Sequence, residues 1–240
     1  ICGKGHKAIS QQQNTAHLLF THSQQEHAHV KDFSSLHSLS SNSLIAGHLI
    51  SHAEKTARST GLPCFVINSA HQHGNTFGEK LSDAFQQIFK LGFENVIAIG
   101  NDCPSLSAQD LRTAAFQLTS KQAVLGPASD GGLYLIGLNK SAFHAISFSA
   151  LPWETAIVQD MMQVYLSDKT ITYFLSDVKE DIDFGKQLNS VLAGSHISLH
   201  LRTSIRSIIA SIVQQFSKQF QHPITINHRI YTSLRAPPVY

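Results

Sequence analysis

The run Asn95-Val96-Ile97-Ala98-Ile99-Gly100 is apolar from Val96 to Ile99 and is followed at once by Asn101-Asp102-Cys103-Pro104. A strand without polar alternation is buried on both faces, and such strands belong to parallel sheets covered by helices on each side. Compact apolar runs recur at His17–Thr21, Pro63–Asn68, Ala123–Gly126, Leu133–Leu138 and Thr170–Leu175. Between them, apolar residues take helical spacing. Leu44, Ile45, Leu49, Ala53 and Ala57 predict a helix over Ser43–Thr60, with Gly61 at its end. Phe77, Leu81, Ala84, Phe85, Ile88 and Phe89 predict another over Phe77–Leu91, closed by Gly92. Further helices are expected over Ala108–Leu118 (capped by Ser107), Glu154–Leu166 and Phe184–Leu192. Strands alternating with helices predict a mainly parallel sheet flanked by helices.

The chain has 240 residues, enough for one large domain. Its expected limits are 17–192. Residues 1–16, polar and Gln-rich, read as a flexible N-terminal segment. Residues 193–240 read as a C-terminal helix, 199–220, and an extended tail carrying Pro223, Pro237 and Pro238. That helix is amphipathic, so it either packs on the domain or forms a homo-oligomer contact. His22–Ser41 reads as a loop with a helical turn.

A formal net charge of +2 gives no global electrostatic case for nucleic acid. The three cysteines, Cys2, Cys64 and Cys103, show no CxxC spacing, which argues against a disulfide framework or zinc knuckle. No apolar run approaches the roughly 20 residues of a membrane span, and the first residues lack the apolar stretch of a signal peptide. A soluble, cytoplasmic protein is the expectation. The 15 histidines read as surface composition. His71 and His73, and the group His22, His27 and His29, lack a cysteine or carboxylate spaced to complete a zinc site.

In parallel α/β sheets, ligands bind outside the carboxyl ends of the strands. Asp102 lies just past such an end, where it either coordinates a cation or ribose, or caps a turn. Asp130-Gly131-Gly132 joins two apolar runs. It is either a hairpin turn or a backbone that a ligand approaches, and the length of the run Leu133–Leu138 favours a groove edge beside Asp102. Asp181 and Asp183 fall on one side of an extended Asp181-Ile182-Asp183, as a metal-binding pair or as caps of the next helix. Trp153, the one tryptophan, either shapes a sugar pocket or anchors the core. Gly74 to Lys80 reads as a glycine-bearing helix start without the P-loop pattern.

Five segments, in order, resemble a known family: Gly74–Leu81, Ile99–Leu106, Leu125–Gly137, Pro152-Trp153-Glu154-Thr155 and Asp181-Ile182-Asp183. It is the radical-SAM- and selenodomain-associated glycosyltransferase-like family, which looks like the nucleotide-diphospho-sugar transferase (GT-A) superfamily. Relatives include the molybdenum-cofactor guanylyltransferases. The likeness covers residues 17–192. It implies a three-layer α/β/α sandwich with a mainly parallel sheet, GT-A-like, and a metal-dependent transferase moving a sugar or nucleotidyl group from a nucleotide-activated donor. A guanylyltransferase-like nucleotidyltransferase and a non-catalytic ligand-binding protein are the alternatives. By this resemblance Gly100, Asn101, Asp102 and Lys31 hold the nucleotide, and Asp102 and Asp183 ligate Mg²⁺ or Mn²⁺. Gly131, Gly132, Trp153, Glu154 and Thr155 line the substrate side, and Asp130 is the base. One segment departs from the family. Many members carry Pro-Gly-x-x-Lys-Thr-Arg-Leu after the first strand, whereas this chain reads Thr21-His22-Ser23-Gln24-Gln25-Glu26-His27-Ala28-His29-Val30-Lys31.

Overall fold

The computed structural model describes residues 14–30, 39–182 and 197–220. The chain runs β1 (Thr15–Phe20), α1 (Gln24–Val30), α2 (Leu39–Arg58), β2 (Cys64–Ile67), α3 (Phe77–Lys90), β3 (Asn95–Ile99), α4 (Ala108–Gln117), β4 (Ala123–Pro127), β5 (Leu133–Asn139), α5 (Ala145–Ser149), α6 (Val158–Asp168), β6 (Tyr173–Leu175) and α7 (Leu199–Phe220). The strands form one sheet in the order β2-β1-β3-β5-β4-β6. β1 pairs parallel with β2 and β3, and β4 with β6; β5 alone runs antiparallel, between β3 and β4. The sheet is therefore mainly parallel, as expected, with one reversed strand.

Alternation along the strands builds two cores. Ala16, Leu18, Val96, Ala98, Leu125 and Ile136 face α3, α5 and α6. Leu19, Ile97, Ile99 and Val124 face α2 and α4. The first layer is rich in aromatic residues: Phe85 and Phe148 are fully buried and Phe143 stacks on Phe85 with centroids 5.6 Å apart. Each buried phenylalanine contributes roughly 2–3 kcal/mol. A third core joins α7 to α2, through Leu201 and Ile205 against Ile45, Ala46 and Leu49. Of the two expectations for the C-terminal helix, packing on the domain is what its described first half does. At the edge where β1 and β3 begin and β5 ends, Asn139 donates to Asn95 Oδ1 at 3.0 Å and Asn95 to Thr15 Oγ1 at 3.2 Å, so these polar groups are satisfied.

Helix starts follow local chemistry. Thr76 and Glu79 form a reciprocal capping box on α3, and Ser107 and Asp110 form one on α4. Gly78, in the first turn of α3, lies against the Ser149 carbonyl and the Trp153 indole, leaving no space for a Cβ. Gly78→Ala is expected to lower stability by about 1–3 kcal/mol in urea unfolding, because backbone must shift to admit the methyl group. An unchanged midpoint would contradict this packing.

Several expected boundaries move. β1 begins at Thr15, two residues inside the segment read as flexible. The segment read as a loop over His22–Ser41 holds α1 and the first turn of α2. β2 is only half-buried because it is the edge strand. The helix expected from Glu154 starts at Val158, since Pro152 to Ile157 form a turn in which Glu154 takes a positive φ of 60°. The short α5 was not expected; its five residues are too few to show a period. The helix expected at Phe184–Leu192 lies outside the described residues. No helix among the described residues is long and apolar enough to cross a membrane.

Candidate functional site

β1, β3, β4 and β6 point their carboxyl ends to one edge. From β1 the chain crosses to β2 on one side, and β3 lies on the other, so the order of strands reverses at β1. Such a switch point opens a crevice beyond the strand ends. Here Thr21 and Asn101 face one another across it: Thr21 Oγ1 donates to Asn101 Oδ1 at 2.8 Å, and both residues are buried. Gln72 closes the β2 side by donating to the Thr21 carbonyl at 2.9 Å.

The loop Gly100–Leu106 is held along its length. Besides the Thr21 bond, the Asp102 carbonyl accepts from the Ile182 N–H at 2.8 Å, and His52 Nε2 donates to the Pro104 carbonyl at 3.1 Å. A Cβ at Gly100 would meet only open space, with the Asp102 nitrogen 3.9 Å away. Gly100 thus leaves the strand end accessible.

After β6 the chain turns along the same edge. Lys179 N–H donates to the Pro127 carbonyl at 3.1 Å, and Ser129 N–H to the Lys179 carbonyl at 3.0 Å. Tyr134 donates its hydroxyl to the Asp177 carbonyl at 2.9 Å. Lys179 Nζ pairs with Asp110 at the start of α4, at 3.2 Å. Burial pushes the Asp110 carboxyl up, but bonds from Ser107 and Lys179 prevail and hold it below its ordinary value. This path delivers Asp181 and Ile182 beside Asp102. Burial first, and the Asp181 charge second, push the neighbouring Cys103 thiol up to about 12. Cys103 is therefore a neutral thiol, not a nucleophile.

Asp130-Gly131-Gly132 is the connection of the antiparallel pair β4–β5, so the hairpin reading is the observed one; register still sets it at the edge that carries Asp102. Asp130 is exposed and its Oδ1 accepts from Gly132 N–H at 2.9 Å. Gly131 has φ 90° and presses on the Ala156 carbonyl, while its own carbonyl accepts from Gln159 N–H at 3.1 Å. The hairpin and the segment Pro152–Val158 are thereby joined. Trp153 sits half-buried against Phe77 and Phe148, and its indole N–H donates to the Phe148 carbonyl at 2.9 Å. Glu154 and Thr155 beside it are exposed.

The segment that departs from the family pattern has its own geometry. Ser23 Oγ accepts from Glu26 N–H at 3.3 Å while Glu26 Oε2 accepts from Ser23 N–H at 3.4 Å. Bonds from Ser69 first, then Ser23, hold the Glu26 carboxyl below its ordinary value. Where a glycine loop would present bare N–H groups, this chain supplies its own carboxylate. Lys31 and Asp183 lie outside the described residues. His22 and His73 are exposed, His71 is bonded to Asn68, and among the described residues no group of three His, Cys, Asp or Glu could hold a metal by itself.

A family model described as an uncharacterized protein conserved in bacteria (DUF2064) matches residues 39–155. A candidate nucleotide-diphospho-sugar transferase from Desulfovibrio desulfuricans G20 superposes with a TM-score of 0.74 at 19% identity, over 84% of this chain and 97% of that one. The chain has a nucleotide-diphospho-sugar transferase-like, GT-A-like α/β fold. More distant likenesses are Rv0371C of Mycobacterium tuberculosis H37Rv, solved with manganese (TM-score 0.45, 9% identity, 75% of this chain and 98% of that one), and CMP:2-keto-3-deoxy-manno-octonic acid synthetase, solved with CTP (TM-score 0.43, 10% identity, 84% and 99%). No curated protein matches the sequence.

Sequence reasoning missed Thr21, His52, Lys179 and Asp110. Each acts across more than 20 positions, so no local pattern marks it. Asp110 carried a local signal, the Ser107-x-x-Asp110 box, but that signal speaks only of a helix start.

Proposed function

We propose that the protein transfers a sugar or nucleotidyl group from a nucleotide-activated donor, within the radical-SAM- and selenodomain-associated branch of the fold. The observation that supports this best is the Gly100–Pro104 loop at the switch point, with Asp102 beside Asp181 and an open approach at Gly100. Nucleoside and ribose would lie against Gly100, Asn101 and the buried Thr21–Asn101 pair. The donor set is carboxylate oxygen, which suits a hard Mg²⁺ or Mn²⁺. Such ions bind through one or two carboxylates plus donor phosphates, so a full protein cage is not needed. Asp102 would hold the ion with Asp183, two residues beyond Asp181, and Lys31 would reach the phosphates. The bound ion would neutralise charge on the departing diphosphate. Asp130 would take the proton of an acceptor hydroxyl, with Gly131, Gly132 and Trp153–Thr155 shaping that side. The site fits a protein working in the cytoplasm, where nucleotide donors are made.

The test is a thermal-shift panel of nucleoside diphosphates and sugar nucleotides with Mn²⁺. A ligand at 100 times its Kd adds about 2.7 kcal/mol, which should raise Tm by several degrees. Asp102→Asn should remove the shift, and Gly100→Ala should weaken it while leaving unliganded stability near wild type. No shift with any donor would defeat the reading. The Ser23–Glu26 box favours a second one: a protein that keeps the fold and binds a small molecule without turnover. Sugar-nucleotide hydrolysis that disappears in folded Asp102→Asn would rule that out.

A further inference from the structure

A small cleft of about 40 Å³, open to solvent, lies between α2 and the start of α7, and His52 in its wall bonds the Pro104 carbonyl. His48, His52 and Lys55 line it from α2 at helical spacing; Ser198, just ahead of α7, and His200 and Ser204 of α7 line the other side. Among the described residues no carboxylate lines it. Lys55 has no ion pair among them, whereas Arg58, one turn on, is neutralised by Glu54 at 2.8 Å. Burial first, and the Lys55 charge as well, push the His52 imidazole below its ordinary value against the opposing bond to Pro104. The first turn of α7, Leu199-His200-Leu201-Arg202, holds no acid to offset its N-terminal dipole.

We propose that this cleft is an anion site that takes a phosphate group. Lys55 supplies the fixed charge, His48 and His200 flank it, and the Ser198 and Ser204 hydroxyls donate from the α7 side. His52 stands between cleft and loop: its Nε2–H is committed to the Pro104 carbonyl, so it positions the loop rather than holding the anion. The chemistry asks for phosphate on any small carrier, and inorganic phosphate is the minimal probe.

Titration of the full chain with inorganic phosphate, at constant ionic strength with chloride as control, should show one site by ³¹P line broadening and calorimetry. Asp102→Asn should leave that binding intact, which separates this site from the nucleotide crevice. Lys55→Gln with His48→Gln should weaken it at least about tenfold, the scale of one or two charge-assisted contacts. Ser204→Asp, at a half-exposed position, should abolish it by placing a resident carboxylate in the cleft. Circular dichroism and unliganded Tm confirm that each variant folds. Absence of binding up to the solubility of phosphate, or binding lost in Asp102→Asn but kept in Lys55→Gln/His48→Gln, would overturn the proposal. So would Zn²⁺ taken up by His48, His52 and His200 and tightened by Ser204→Asp, since that is a metal site.

Discussion

Gly131→Ala should destabilise the protein by roughly 2–4 kcal/mol, a fall in Tm of roughly 4–16 °C for a domain of this size. Two causes act together. The backbone has φ 90°, which an L side chain resists. The added Cβ would also fall on the Ala156 carbonyl, which is backbone and cannot rotate away. Gly132→Ala is the internal comparison. Its Cβ would sit 3.0 Å from Asp130 Oδ1, the mobile end of a side chain, so its loss should be much smaller. The functional consequence follows from the same contact. Gly131 ties the β4–β5 hairpin to the segment Pro152–Val158, so moving it shifts Asp130 and the Trp153–Thr155 side together. Equal losses for the two variants would mean that the Ala156 contact does not set the position of the hairpin. A Gly131→Ala protein within about 0.5 kcal/mol of wild type would remove the strain argument altogether.

How far the sequence could be read depended on the range of the interaction. β3 and α3 were legible because burial on both faces and a helical stripe are local patterns. The reversed β5 was not. A strand buried on both faces looks the same in either direction, and Asp130-Gly131-Gly132 fits a hairpin as well as a ligand loop. The edge carrying Asp102 followed from the end of β3. What holds it did not: Thr21 to Asn101 spans 80 positions and His52 to Pro104 spans 52. Trp153 was balanced between core and pocket, and only its bond to Phe148 and the close pass of Gly78 show how firmly it is packed.

His17 shows the same limit, and it carries the second large expected effect. In sequence it is one of fifteen histidines; in the fold it sits at 0% exposure in β1, facing the α2 layer. The Thr60 hydroxyl gives its one proton to the Ala57 carbonyl at 2.7 Å, so it accepts from His17 Nε2–H at 3.0 Å. Nδ1 is then a bare lone pair in the core with no partner among the described residues. Protonating it would bury a charge that nothing accepts, and burial lowers the His17 pKa from 6.5 to about 4. Between those two values the unfolded chain binds the proton that the folded chain refuses. Stability contributed by neutral His17 is thus complete above about pH 7 and declines as pH falls through 6.5. The decline levels off below about pH 4, after about 3 kcal/mol. His17→Gln keeps a donor for Thr60 and has nothing to titrate. Urea unfolding at pH 7.5 and 4.5 should show wild type losing about 2–3 kcal/mol more than the variant over that interval. The half-buried His52 is present in both proteins and cancels. Parallel losses in wild type and variant would mean that His17 reaches water, and that the centre of β1 is less tightly covered by α2 than its burial requires.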